Sequence, residues 1–553
     1  MNVQLNIDDL GYRWRGIYST NLAYKERDVV FKDGGAFVIQ GGSPQPFALG
    51  QQDALLGGKL LTGGVAVGGS WGMVLHSNGD GGVEFRFMNE RNGTIATKLI
   101  NTDIGGEYTG HRFGMGAIMN EGAVRMWGAQ DNGQGGSGSQ AINRIMPAQV
   151  AFPPGTPPIT DMQSGYDCTF FIDASGGLWH TGANTNGCSG SNAERATPYK
   201  LNGTGDIPAS AKIVKMVFGL GYYDYRTAAC IDSTGKVYAW SATNRYSTLG
   251  YAGTSTVPKL VPFTATTPIK DMYLSGGYYP ATYFLDTAGR MWTCGQAYLS
   301  GLNLDDQLPR LFMPWGESNT VKCIRANETV NSAIPADYYR RVAVVLDNGD
   351  LYMWGDDSGT VNGSWGTGTA IGTDIGPTNA LFPYKCLTGV ADCYTFAGGY
   401  SRSIVLMKDG TVKHSGYNGY GIGGGADHTT WTTIGGTYLT NVTKLRCKGG
   451  SYGTSCAALR SDGKMVIWGV NDAGQSGRAD ITDGSSLPHT GFVLLEKTIA
   501  DFAVTGQGST TPSNIAYHML TTDGRVYTTG APNGWANQDR QGNYRAVPNQ
   551  IIF

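Results

Sequence analysis

Residues 344–355 read VVLDNGDLYMWG: an apolar strand, a turn closing on Gly349, and a second apolar strand ending on Gly355. Asp-Asn-Gly between two apolar runs signals a hairpin, because the turn needs a residue at positive φ. Seven more segments share the pattern: GAIMNEGAVRMWG, FFIDASGGLWHTG, AACIDSTGKVYAWS, YFLDTAGRMWTCG, VLMKDGTVKHSG, ALRSDGKMVIWG and MLTTDGRVYTTG. The turn glycines are Gly122, Gly176, Gly235, Gly289, Gly349, Gly410, Gly463 and Gly524, spaced 54, 59, 54, 60, 61, 53 and 61 residues apart. The third copy alone lacks the closing glycine and has Ser241 there. Repetition at this period is the sequence signature of a repeat architecture.

The hairpin strands are nearly continuously apolar rather than alternating, which implies burial on both faces. A strand ending in a Gly-rich turn precedes most hairpins, as in ITDMQSGY (159–166), IKDMYLSGGY, VADCYTFAGGY and VTKLRCKGGSY. Loops such as DNGQGG, NTNGCSG and NDAGQSG follow several, and then a strand containing proline: PAQVAF, PYKLNG, PKLVPF, PRLFMP. Four short strands per roughly 55 residues make one propeller blade. No segment sustains a helical apolar period over three turns. The expected fold is therefore all-β: a propeller of seven or eight four-stranded blades, the repeat count favouring eight, with a small N-terminal β module. The expected boundaries are 1–60 for that module, 61–104 for a connector and 105–553 for the propeller. The end AVPNQIIF and the early strand TIATKLIN (94–101) suggest that the chain termini pair within one blade, which would remove two exposed edges.

Composition agrees. Glycine supplies 84 of 553 residues, charged residues only 15%, aromatics 11%, and net charge is −2. Abundant glycine and aromatics with few straight-chain helix formers favour short strands and tight turns. No basic stripe predicts nucleic-acid binding. No apolar run is long enough to span a bilayer, and the start MNVQLNIDDLGYRWRG lacks signal-peptide features. Nine cysteines without a CxxC pair read as buried, reduced hydrophobes. A cytoplasmically made protein is the expectation, so the Asn-x-Ser/Thr sequons carry no meaning.

The pattern Gly-Gly, apolar strand, Asp-Gly-x-Val-Tyr-x-Trp-Gly, Asn-x-x-Gly-Gln-x-Gly resembles the regulator of chromosome condensation repeat family over roughly residues 100–553. The resemblance implies a propeller, seven-bladed in the family's type member. Tyr400-Ser401 or Tyr278-Tyr279-Pro280 stand where that family commonly carries His-Ser.

The first sixty residues differ. WRGIYSTNLAYKERDVVFKDGGAFVIQGG resembles small carbohydrate-binding modules of chitinases and phage fibres, with Arg27 replacing the usual glycine and Phe37 the usual tyrosine. Trp14, Tyr18 and Tyr24 are its candidate glycan contacts; in the alternative, Trp14, Tyr24 and Phe37 form its core. Residues 61–100, with VLHSNGDGGVEFRF and RNGT, resemble a connecting segment in structural proteins of tailed phages, especially those of cyanobacteria.

Chemistry is hard to find. Seven histidines (His76, His111, His180, His414, His428, His489, His518) show no zinc spacing. GxSxG and P-loop patterns are absent, and Asp286, Asp347, Asp409, Asp462 and Asp523 match turn chemistry. The expectation is no enzyme, no metal and no cofactor. Tyrosines recur ahead of the hairpins: Tyr166, Tyr222, Tyr223, Tyr278, Tyr279, Tyr338, Tyr339, Tyr400 and Tyr452. They pack between blades or form a collar contacting glycan or a neighbouring subunit.

The leading functional expectation is a phage virion appendage, a tail-fibre or baseplate protein. It would bind host-surface glycan, contact other virion proteins through its N-terminal region, and form a homo-oligomer or symmetric assembly. The alternatives are a capsid decoration protein and a cellular propeller scaffold or guanine-nucleotide exchange factor.

Overall fold

A computed structural model gives the architecture. It describes residues 95–551 apart from 100–113, 129–131, 139–143, 165–167, 221–225, 245–246, 265–266, 275–280, 296–299, 301–305, 331–337, 356–363, 368–382, 397–400, 424–425, 450–453, 472–473, 477–496, 506–514 and 531–544, and before residue 95 the backbone of six strands. The chain divides into two units, 1–94 with 552–553, and 95–551.

In the first unit, Arg13–Ile17, Asp28–Lys32, Gly35–Gln40 and Ser43–Pro46 form a four-stranded sheet in that order, its first pair parallel. Trp71–Ser77 and Val83–Asn89 pair as a separate hairpin.

The second unit is a ring of eight antiparallel sheets, so the count is eight rather than seven. The blades span 96–149, 159–200, 213–260, 269–311, 321–387, 390–433, 442–469 and 499–551. Seven have four strands, and three strands of the seventh blade lie among the described residues. Within a blade the strands follow chain order. The first strands of successive blades touch around the axis, and the last ones form the exposed rim. Prolines on the rim (Pro147, Pro198, Pro258, Pro309, Pro548) suit edge strands, which can spare an N–H.

The expectation that the chain ends share a blade is corrected. Ala96–Leu99 pairs with Gly114–Met119 in blade 1, and Arg545–Ile551 pairs with Val526–Gly530 in blade 8. Closure instead uses a joint common to every blade. The turn-glycine carbonyl accepts the N–H of the first residue of the next blade: Gly122 from Ile159, Gly176 from Ile213, Gly235 from Ile269, Gly289 from Val321, Gly349 from Val390, Gly410 from Val442 and Gly463 from Ile499. The eighth link, Gly524 from Ala96 at 3.0 Å, closes the circle. Gly524 has φ +77°, and a Cβ there would lie 2.4 Å from Ile95 Cβ. Glycine is needed at this joint for its conformation and for the close approach of the neighbouring blade.

Both hairpin strands are buried, as their continuous apolar character predicts. Among the described residues the core is divided into apolar clusters that fill the seams between neighbours. One joins Phe170, Cys188 and Leu201 of blade 2 to Phe218, Cys230 and Trp240 of blade 3. Another joins Ile404 and Ile422 of blade 6 to Leu445 and Trp468 of blade 7.

The seams alternate. One residue before the end of the second hairpin strand stand Trp127, Trp240, Trp354 and Trp468 in odd blades, but Thr181, Cys294, Ser415 and Thr529 in even ones. All eight are buried. Members of either kind reach a carbonyl in the loop after the previous hairpin, whereas Ser415 bonds to His428 O of its own blade. Trp240 Nε1 donates to Cys188 O at 2.9 Å and Trp468 Nε1 to Ile422 O at 3.2 Å. Thr181 Oγ1 donates to Gln134 O and Thr529 Oγ1 to Gln475 O, both at 2.9 Å. The loops are held by their own asparagines, whose Oδ1 accepts the N–H five residues on: Asn184 from Ser189, Asn244 from Leu249, Asn471 from Ser476.

Candidate functional site

The axial strands bring together residues that the sequence reading passed over. The axial strand of every blade has a register shift at the same place: Ala96/Lys98, Ile159/Asp161, Ile213/Lys215, Ile269/Asp271, Val321/Cys323, Val390/Asp392, Val442/Lys444 and Ile499/Asp501. A β-bulge re-aims the side chain that follows it. Here those side chains are Lys98, Asp161, Lys215, Asp271, Cys323, Asp392, Lys444 and Asp501, a girdle alternating cation and anion except at blade 5.

Ion pairs tie odd blades to the even blades after them. Lys98 Nζ lies 2.7 Å from Asp161, and Lys215 and Lys444 pair with Asp271 and Asp501. Each aspartate also accepts the next residue's N–H, at 2.9 Å for Asp161 and Asp392 and 2.8 Å for Asp501. The carboxylates are thereby fixed while they stay partly exposed. Partial exposure keeps such pairs weak in energy, so their value lies in register.

Blade 5 breaks the alternation. Burial pushes the Cys323 thiol up to about 12, with Arg325 opposing and Asp392 assisting, so it remains protonated at neutral pH. Its Sγ is 3.7 Å from Asp392. The cation comes instead from two residues further along the strand. Arg325 Nη2 sits 3.0 Å from Asp392, and Arg446 of blade 7 approaches the same carboxylate at 3.8 Å. Arg325 lies over the Tyr394 ring at 5.3 Å, and Arg446 donates to Tyr394 Oη at 3.0 Å.

This second level polarises the axis. Blades 4 to 7 present Tyr273, Arg325, Tyr394 and Arg446, whereas blades 2, 3 and 8 present Gln163, Val217 and Ala503. One arc is aromatic and cationic; the other is small or neutral. The arrangement suits recognition of a group that is flat, anionic, or both.

Of the expected contacts, Tyr222, Tyr223, Tyr278 and Tyr279 lie outside the described residues, as do Tyr18 and Tyr24. Tyr338 and Tyr339 open a blade-5 strand opposite Val330 and Thr329, and Trp14 pairs in register with Val29, but their side chains are outside the described set. The turn aspartates behave as expected: Asp409 Oδ1 accepts Thr411 N–H at 2.9 Å and Asp286 Oδ1 accepts Arg290 N–H at 2.8 Å. None of the nine cysteines forms a disulfide, and seven are buried. The missed girdle had a signal in the sequence: ITDM, IVKM, IKDM, VADC, VTKL and IADF share a small motif of apolar, any, charged, apolar.

Fold and joints together define the class, a closed β-propeller of eight tandem repeats. The model of the Regulator of chromosome condensation (RCC1) repeat matches residues 121–172, a stretch that runs from the first hairpin turn into the second blade. The chain is 25% identical over 382 residues to the E3 ubiquitin-protein ligase HERC2 of Mus musculus, a match covering 65% of this chain and 7% of that protein. It is 29% identical over 171 residues to the mitochondrial RCC1 domain-containing protein RUG3 of Arabidopsis thaliana, covering 30% of this chain and 36% of RUG3. The chain thus spans only a minor part of either relative. Among solved structures it is similar to human WBSCR16 (18% identity, 69% of this chain and 96% of that one, TM-score 0.48) and to Prp20p from Saccharomyces cerevisiae (17%, 78% and 85%, 0.45).

Proposed function

We propose that this chain is an interaction scaffold: an RCC1-type propeller that holds a partner at the axis, against the arc of blades 4 to 7. The polarised second level carries this reading. Eight blades share one joint and one bulge, so the fold asks the same of every blade. A Tyr-Arg-Tyr-Arg run on one arc answers no demand common to all eight, and departures from a repeated rule concentrate at functional positions. The likeness to RCC1-domain proteins supports the cellular-scaffold alternative over a virion appendage, whose support is the sequence resemblance of residues 1–100. Glycan binding at Trp14, Tyr18 and Tyr24 belongs to that second reading.

Site-specific photocrosslinking tests the proposal. A photoreactive residue replacing Tyr273 is expected to capture one defined partner in native extract, with capture lost on adding Arg446→Gln. A probe replacing Tyr199, exposed on the blade-2 rim, is expected to capture none. Capture from the rim but not the axis would sink the assignment of the surface. A captured capsid or tail protein would restore the virion reading.

A further inference from the structure

Blade 6 holds two histidines with no role in the scaffold described so far. His414 lies on the second hairpin strand and is buried; His428 opens the rim strand, opposite Gly416, and is half-buried. Their Nδ1 atoms stand 3.1 Å apart, with the rings near perpendicular at 67°. His414 Nε2 lies 3.2 Å from the Tyr417 carbonyl. A carbonyl only accepts, so His414 carries its proton on Nε2 and directs the Nδ1 lone pair at His428. A histidine that ligates a metal is commonly held in this way, its other N–H given to a backbone carbonyl.

The separation also fits. Two imidazole nitrogens about 2.0–2.1 Å from one tetrahedral ion sit roughly 3.3 Å apart. We propose that His414 and His428 form a two-histidine site for a borderline-soft divalent ion of the zinc class, held between their Nδ1 atoms and completed by water. Binding needs no net loss of a proton from the pair: the proton on His428 Nδ1 moves to its Nε2, and the metal takes the vacated lone pair. Two imidazoles suit zinc, copper or nickel and disfavour magnesium or calcium. Among the described residues no three His, Cys, Asp or Glu side chains gather as a ligand set, so micromolar rather than nanomolar affinity is expected.

The ring supplies its own control. Blade 2 has His180 in the position of His414, but Arg195 opposite Gly182, where His428 stands opposite Gly416. Blades 1 and 8 also place arginine there, Arg144 and Arg545. The pair therefore replaces an arginine by a ligand in blade 6.

Calorimetric titration of the full chain with zinc chloride at pH 7.5 tests the site, with His428→Arg restoring the residue found in blades 1, 2 and 8. One equivalent of zinc is expected to bind the wild type, and His428→Arg to weaken that binding at least tenfold with the metal-free melting temperature unchanged. X-ray absorption of the zinc-loaded chain is expected to show two imidazole nitrogens. No binding below millimolar zinc, or binding of equal affinity and stoichiometry in His428→Arg, would overturn the proposal; the latter is an adventitious ion only.

Discussion

Odd and even blades answer the same packing problem with different side chains. Cross-strand from Trp127, Trp240, Trp354 and Trp468 stand Met115, Ala228, Val342 and Cys456. Cross-strand from Thr181, Cys294, Ser415 and Thr529 stand Thr169, Thr282, Ser403 and Tyr517. Both arrangements can reach a loop carbonyl of the preceding blade, through an indole N–H at Trp240 and Trp468 and through a hydroxyl at Thr181 and Thr529. The axis repeats the division: aspartate in every even blade, and lysine in every odd one but the fifth, which has Cys323. The structural repeat is therefore a pair of blades, and the eight hairpins make four such pairs.

Truncation should separate the two kinds of seam most clearly. Trp240→Ala empties a fully buried site and removes the donor to Cys188 O, and should cost about 3–5 kcal/mol. Urea midpoints measure it. A cost below about 1 kcal/mol would mean that the tryptophan seams are not what holds odd blades in place.

Acid should test the even blades. Burial lowers His180 of blade 2 and His518 of blade 8 to about 3. Both are neutral in the folded chain, while the unfolded chain protonates them near pH 6.5. Below 6.5 the unfolded state binds more protons, so stability falls as pH drops towards 3, by up to about 1.4 kcal/mol per unit per histidine. Denaturation midpoints across pH 7 to 5 should therefore slope downward, and His180→Leu should remove about half of that slope. An unchanged slope in the variant would place the titration elsewhere.

The joint is testable in the same way. Gly524→Ala meets both a positive φ and Ile95, whereas Gly155→Ala, at φ +82° with nothing within 4 Å of the added carbon, meets only the first. Gly155→Ala should cost about 1–2 kcal/mol, and Gly524→Ala measurably more. Equal costs would show that closure does not depend on close approach. Thr181→Val, which keeps shape and removes the bond to Gln134 O, should cost about 1–3 kcal/mol, the penalty of an unpaired buried carbonyl. Smallest of all, Lys98→Met should cost less than about 1 kcal/mol, the difference shrinking further in salt.

The hairpins, their number and their burial were legible because one unit, such as VVLDNGDLYMWG, carries its whole signal within twelve residues. The joint was half legible: positive φ at Gly524 follows from turn chemistry, but its contact with Ile95 crosses more than 400 residues. The alternation escaped because it appears only when second strands are compared two units apart, VYAWS with LYMWG and LWHTG with MWTCG. The girdle escaped for a related reason. A single Lys or Asp in a strand such as IVKM or IADF reads as ordinary solvation until the bulge places all eight side by side. The expected sharing of a blade by the chain ends failed because each end strand pairs within its own blade, and the Ala96–Gly524 bond links the two blades without an exchanged strand.

The paired character of the seams limits how such a ring can change size. Removing a single blade would set tryptophan against tryptophan, or two short side chains across a gap, and would at most positions place like charges next to each other at the axis. Removing or adding two consecutive blades leaves every remaining neighbour of the right kind. Descendants of this ring should therefore differ in blade number by even steps, and a designer who shortens it should count in twos.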